Sequence, residues 1–136
     1  EEWITQRMRS IETRKELTAE WNRVGVNEGI EYAILTDDIS KAWSGMSTKE
    51  YKQHKGLKKE GLRDNMTNME LILNMLAEAS TTEISKVENP DGFEESRDVA
   101  KRGGNIAGNA RQELEEVTGK SVISKKNSKN PELLDE

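Results

Sequence analysis

The chain has 136 residues, 32% of them hydrophobic and 35% charged, and its formal net charge at pH 7 is −5. This length fits one domain with a real core, and the net acidity argues against a general nucleic-acid binder, whose basic face normally dominates the whole domain. The absence of cysteine excludes disulfides and thiolate metal sites, and it favours a reducing, cytoplasmic compartment.

The first half of the chain predicts three helices. An apolar stripe over residues 3–24 predicts the first helix, which ends at Gly25. The second helix is expected over residues 28–43. We expect its inner face to comprise Ile30, Ala33, Ile34 and Ile39. The third helix opens at Ser47, which stands three residues before Glu50 as in a capping box.

The second half predicts two longer helices. Thr67 and Glu70 form a second capping box, which opens an apolar central helix over about residues 67–87. Its expected inner stripe is Met69, Ile72, Leu73, Leu76 and Ala79. The fifth helix opens at Asp91 and ends at Gly119. Small residues on its inner face predict a seam against the central helix, formed by Gly103, Ala107 and Ala110. The sequence therefore predicts a compact all-α domain of about five helices over residues 1–124, followed by a polar tail over residues 125–136.

Positive charge is concentrated in the segment YKQHKGLKKEGLRDNM. Residues 49–64 contain six basic and three acidic side chains and carry +3, whereas the rest of the chain contains 15 basic and 23 acidic side chains and carries −8. Gly56 and Gly61 predict a corner between two helices, with the lysine side chains directed outward. We predict a surface that binds phosphates or an acidic partner, formed by Lys52, Lys55, Lys58, Lys59 and Arg63. The alternative is that these side chains are only solvated.

Other motifs in the chain do not indicate catalysis. TGKS at residues 118–121 ends a predicted helix, whereas a P-loop precedes one, and the first glycine of that motif is replaced by Leu114. His54 is the only histidine and has no cysteine with which to form a zinc site. We therefore expect no enzymatic activity, no cofactor and no metal. No apolar run approaches the roughly 20 residues that cross a bilayer, so no membrane contact is expected.

The segment HKGLKKEGLRDNMTNMELILNMLAEASTTE resembles the C-terminal region of DNA-damage-inducible protein D. The similar features are the KGLKK run at residues 55–59, Met66, the pair Glu70 and Leu71, and the threonine-rich end at residues 81–83. The segments RKELTAEWNRVGV and GGNIAGNARQELEEVTGKSV are also similar to this family. The resemblance extends over about residues 14–124.

The resemblance implies a bacterial or prophage protein of the DNA-damage (SOS) response. Full-length members carry an N-terminal domain similar to BRO-type prophage antirepressors, and this chain starts without Met, so we expect a piece of a longer protein. Two functions stay open. The first is a non-enzymatic interaction domain that modulates recombination through contacts to single-stranded DNA or to the strand-exchange recombinase filament. The second is a structural domain that forms homo-oligomers of an antirepressor-like transcription regulator.

Overall fold

Five α-helices and one 3₁₀ turn form the fold in the computed structural model, which describes residues 2–127 and the side chains from Ile4 onward. The elements are α1 (Glu2–Arg23), α2 (Ile30–Ser44), α3 (Thr48–His54), the 3₁₀ turn Arg63–Asn65, α4 (Asn68–Glu88) and α5 (Gly92–Thr118). No β-strand occurs among these residues, so the predicted all-α fold is confirmed. None of the described helices is both long and apolar enough to cross a membrane.

The helix ends follow the local capping signals of the sequence. Ser47 and Glu50 form a capping box at the start of α3, and Thr67 and Glu70 form one at the start of α4. The backbone hydrogen bond from Ser47 lowers the pKa of the Glu50 carboxyl. Helix α4 ends at Asn89, which has a left-handed φ of 50°. The predicted helix boundaries therefore agree with the structure to within about two residues.

Helix α4 lies between α1 and α5, and α5 lies between α4 and α2. The core contains Trp21 and Trp43, which are almost completely buried. Their neighbours in the hydrophobic core include Leu17, Leu35, Ile39, Tyr51, Leu71 and Ala107. The predicted central position of the fourth helix is confirmed, because α4 packs against helices on two sides.

The predicted inner face of α4 is wrong in its details. Met69 and Leu76 are exposed, whereas the buried face includes Glu78, Thr81 and Ser85. These polar side chains are buried because each has a hydrogen-bond partner, which hydropathy does not register. Ser85, for example, donates to Glu20 of α1 across 2.6 Å.

The Glu20 carboxylate also binds Arg23, in the last turn of its own helix α1. It accepts two hydrogen bonds from Arg23, at 2.8 and 2.6 Å, and these bonds lower the pKa of the Glu20 carboxyl. The carboxylate is therefore held in its charged form at the contact between α1 and α4.

The predicted inner face of α2 is also wrong in part. Ile30 is 77% exposed and Ala33 is exposed as well, whereas Leu35, Ile39 and Trp43 are buried at successive intervals of four residues. The helix is therefore rotated relative to the prediction. This rotation places the backbone of Ala42 beside glycines of α5.

The predicted contact between small residues of α5 and the central helix α4 is confirmed. A second set of small residues on α5 contacts α2. A Cβ atom added at Gly103 would lie 2.7 Å from the Thr81 Cα of α4, and Ala107 is completely buried. On the side that the sequence did not predict, a Cβ atom at Gly104 would lie 2.6 Å from the Ala42 Cβ, and Gly108 also lies against Ala42. These glycines allow α5 to approach α4 and α2 more closely than a side chain would permit.

We predict that Gly103→Ala and Gly108→Ala each destabilise the fold, because the new methyl group would overlap the backbone of the neighbouring helix. Overpacking of this kind costs about 1–3 kcal/mol, and Ala107→Leu is expected to have the same effect. The measurement is the free energy of unfolding in urea. Asn109→Ala, at an exposed position of the same helix, is the control and should not lower stability. Equal stability of the glycine variants and the control would contradict the packing role of the seam.

Candidate anion-binding site

Lys55 is buried in the structure and does not belong to an outward-facing surface. Its ammonium lies 2.7 Å from the Glu70 Oε1, and both side chains are completely shielded from solvent. The Glu70 carboxylate accepts three further hydrogen bonds, from the Tyr51 hydroxyl, the Thr67 amide and the Ser124 amide. Glu70 and its four donors, Lys55, Tyr51, Thr67 and Ser124, form the Glu70 cluster. Burial and the adjacent Glu70 charge raise the pKa of the Tyr51 hydroxyl, so it stays protonated and donates.

The segment after α5 completes this cluster. The Ser124 amide donates to Glu70 Oε2 across 3.1 Å, and the carbonyl of Lys126 accepts from the Lys55 ammonium across 2.7 Å. The Asn127 side chain donates back to the Lys55 carbonyl across 2.8 Å. Contacts between the C-terminal segment and α3 therefore continue through residue 127, three residues past the end of the predicted domain; residues 128–136 lie outside the described part.

The prediction that Lys55 points outward is therefore wrong. A lysine within a basic run is normally solvated, but here the buried Glu70 carboxylate provides a charged partner and the Lys126 carbonyl accepts a second hydrogen bond from the ammonium. A buried charge is tolerated when it is paired and hydrogen-bonded in this way. Lys55 therefore has a structural role and cannot contact a surface ligand in this conformation.

The remaining basic residues are arranged around a cleft between α1, α2 and α3. It has a larger part of about 640 Å³ and a smaller part of about 300 Å³, and both parts are lined by Arg14, Thr36, Thr48 and Lys52. Lys58 lines the larger part and Arg63 the smaller part. Lys59 is exposed and lines neither part. Of the five predicted residues, the structure thus brings three to the cleft.

Two arginines in this cleft share one buried carboxylate. Glu78 accepts from Arg14 across 3.3 Å and from Arg63 across 3.2 Å, and its side chain is 3% exposed. Arg14 also donates to the Thr36 hydroxyl across 2.8 Å, and Arg63 donates to Ser10. Both guanidinium groups are thus fixed in position, and together they exceed the charge of Glu78 by one.

The lysines of the cleft have no acidic partner. Lys49, Lys52 and Lys58 form no ion pair with any residue in the described range 4–127, and the same is true of Lys59. In a chain with a net charge of −5, this is a local excess of positive charge at a concave surface. Concave surfaces lined by one sign of charge focus the electric field and attract counter-ions. The arrangement is suited to binding an anion.

Sequence reasoning missed two of the cleft residues. Lys49 was counted in the basic segment but was left out of the predicted site, although it precedes Lys52 by three residues and shares its face of α3. Arg14 lies on α1, more than thirty residues upstream, so only the packing of α1 beside α2 brings it there. No local pattern could have identified it. Among the described residues, no group of three or more His, Asp or Glu side chains is arranged to hold a metal ion.

Comparison with known proteins gives one match. A family model described as the DinD C-terminal domain matches residues 2–130, which is nearly the whole chain. No curated protein matches the chain. No solved structure matches it either.

We predict that Lys55→Met destabilises the fold far more than Lys59→Met. Both substitutions remove a lysine ammonium group, but Lys55→Met also leaves the Glu70 carboxylate buried without its cationic partner. Breaking a buried ion pair by removing one partner costs about 3–5 kcal/mol, whereas a change at an exposed lysine stays within about 0.5 kcal/mol. The free energy of unfolding in urea measures both. If the two variants were equally stable, the Glu70 cluster would not be a structural element.

Proposed function

The chain belongs to the DinD C-terminal domain family, and from this premise we propose that it is a non-enzymatic interaction domain of a DNA-damage-response protein that contacts single-stranded DNA. The contact would involve the unpaired lysines at and beside the cleft, namely Lys49, Lys52, Lys58 and Lys59. Through it the domain would modulate recombination, which uses single-stranded DNA as its substrate.

The observation that carries this proposal is the set of four lysines without an acidic partner in the described part of the chain. Lysines of this kind release condensed counter-ions when they neutralise phosphates, which is the main source of sequence-independent affinity for DNA. The proposed set differs from the sequence prediction at three positions, because Lys49 is added and Lys55 and Arg63 are left out. Lys55 is excluded because it is buried against Glu70, and Arg63 is engaged by Glu78 and Ser10.

The proposed binding is weak at physiological salt. The chain as a whole is acidic, so its remaining surface repels a phosphate backbone wherever ions do not screen it. The Debye length is about 8 Å at physiological ionic strength, so at that salt only acidic side chains within about this distance of the bound strand still repel it.

We predict that the affinity for a single-stranded oligonucleotide falls as salt is raised. Neutralising four phosphates gives a slope of log affinity against log salt of about −2.8, at about −0.7 for each phosphate on single strands. Lys58→Glu together with Lys59→Glu should abolish the salt-dependent binding without unfolding the protein, because both side chains are exposed. Fluorescence anisotropy over a series of salt concentrations measures the slope.

The control is Lys101→Glu together with Lys120→Glu, which changes the net charge by the same amount at exposed positions outside the cleft. Equal loss of binding in both double variants would indicate a general charge effect and would overturn the proposed contact. Absence of salt-dependent binding by the parent would do the same. Retained binding of the parent to a recombinase filament would then favour a protein partner. Sedimentation as a dimer would instead favour the oligomerisation role, for which Met69 and Leu76 offer exposed apolar surface.

A further inference from the structure

We infer that the cleft between α1, α2 and α3 is a binding site for a phosphate-bearing ligand of nucleotide size. Arg14, Lys49, Lys52 and Lys58 would contact phosphate oxygens there. Where the phosphate belongs to a DNA strand, the inference rests on the proposed function. It then places the DNA contact within this one cleft and not across a lysine-rich surface. The same chemistry would also admit a free nucleotide.

The dimensions of the cleft fit this class of ligand. Its larger part is an open cleft of about 640 Å³, within the range of about 300–1,000 Å³ that is usual for small-molecule sites. The wall is formed by three separate helices, α1, α2 and α3, and by the loop that carries Leu57 and Lys58. A ligand in the cleft would therefore contact residues of several elements at once, unlike one bound by a single lysine-rich helix.

The charge inside the cleft favours an anion although two carboxylates are present. Five cationic side chains and two acidic ones line its two parts. Glu78 accepts from both arginines, and Asp37 accepts the Thr48 amide proton across 3.0 Å. Both carboxylates are thus already bound to donors of the protein, and the net charge of the lining is +3. This excess is carried by the lysines, whose ammonium groups have no acidic partner in the described structure.

The cleft also contains polar donors that the described structure does not use. The Thr48 hydroxyl and the Gln53 amide line the larger part, and neither side chain forms a hydrogen bond within the described residues. Arg14 is held by Thr36 and Glu78, so little side-chain entropy is lost when a ligand binds to its remaining N–H groups.

The composition of the wall indicates which part of a nucleotide is recognised. Leu57 and Ala33 give apolar surface, but no aromatic side chain lines either part of the cleft. Bases bound without sequence preference normally stack on aromatic rings. The structure therefore assigns recognition to the phosphates, and binding should be indifferent to the identity of the base.

The experiment uses pyrophosphate, ADP and a single-stranded oligonucleotide as probes, each titrated into the protein by calorimetry at low ionic strength. We expect all three to bind, and we expect Lys49→Gln with Lys52→Gln to weaken each by at least about tenfold, which corresponds to about 1.4 kcal/mol. Lys59→Gln, beside the cleft but outside its lining, should change the affinity for pyrophosphate and ADP by less than about twofold, as is typical of an isolated exposed charge.

Each outcome separates the cleft from the proposed function. If the oligonucleotide binds but pyrophosphate and ADP do not, the cleft is overturned and DNA binding stands. If pyrophosphate and ADP bind in the cleft but the oligonucleotide does not, the cleft stands and DNA binding fails. If no probe binds, both are overturned. Amide chemical shifts of the parent protein give a test that needs no variant, because pyrophosphate should perturb Thr36, Thr48 and Lys52 and leave Lys101 unchanged.

Discussion

One buried carboxylate, that of Glu70, joins three parts of the chain that are distant in sequence. It caps the first turn of α4, accepts from Tyr51 and Lys55 at the end of α3, and accepts from Ser124 after α5. A buried carboxylate is costly unless its oxygens are fully hydrogen-bonded. The corner between α3 and α4 and the C-terminal segment are therefore coupled, since each supplies donors that the charge requires.

This constraint determines which basic residues are available for binding. The KGLKK run looks uniform in sequence, yet its first lysine is buried in the Glu70 cluster while Lys58 and Lys59 are exposed. The Glu70 cluster fixes the end of α3, and with it the position of Lys52 on the same helix. The cleft beside this helix is completed by Arg14 of α1 and by residues of α2. Lys55, as part of the Glu70 cluster, thus helps to hold Lys52 in position beside the cleft.

The sequence predicted the helices more accurately than their buried faces. Caps and glycines act locally, so Ser47, Thr67 and Asn89 identify helix ends without knowledge of the fold. Burial depends on partners elsewhere in the chain. Glu78 is buried because two arginines reach it from α1 and from the 3₁₀ turn, and hydropathy alone assigns it to the surface. Leu76 shows the converse, because it is apolar and yet 37% exposed.

Local and distant signals differ in the same way for the predicted anion-binding residues. The charge of the basic segment was visible in the sequence, and so the prediction included Lys52 and Lys58, which line the cleft. The burial of Lys55 could not be predicted, because its partner Glu70 already had a complete role as the capping residue of α4. The contribution of Arg14 could not be predicted either, because it depends on how α1 packs beside α2 and α4.

Hydrogen exchange at the Ser124 amide tests the central role of Glu70 most directly, because this amide donates to the buried carboxylate. The comparison is between the parent chain and Glu70→Gln, with the Ala107 amide in the middle of α5 as the internal reference. We predict that the variant loses protection at Ser124 and in α3 while Ala107 stays much better protected. Unchanged exchange at Ser124 in the variant would contradict the claim that this carboxylate holds the C-terminal segment against the α3–α4 corner.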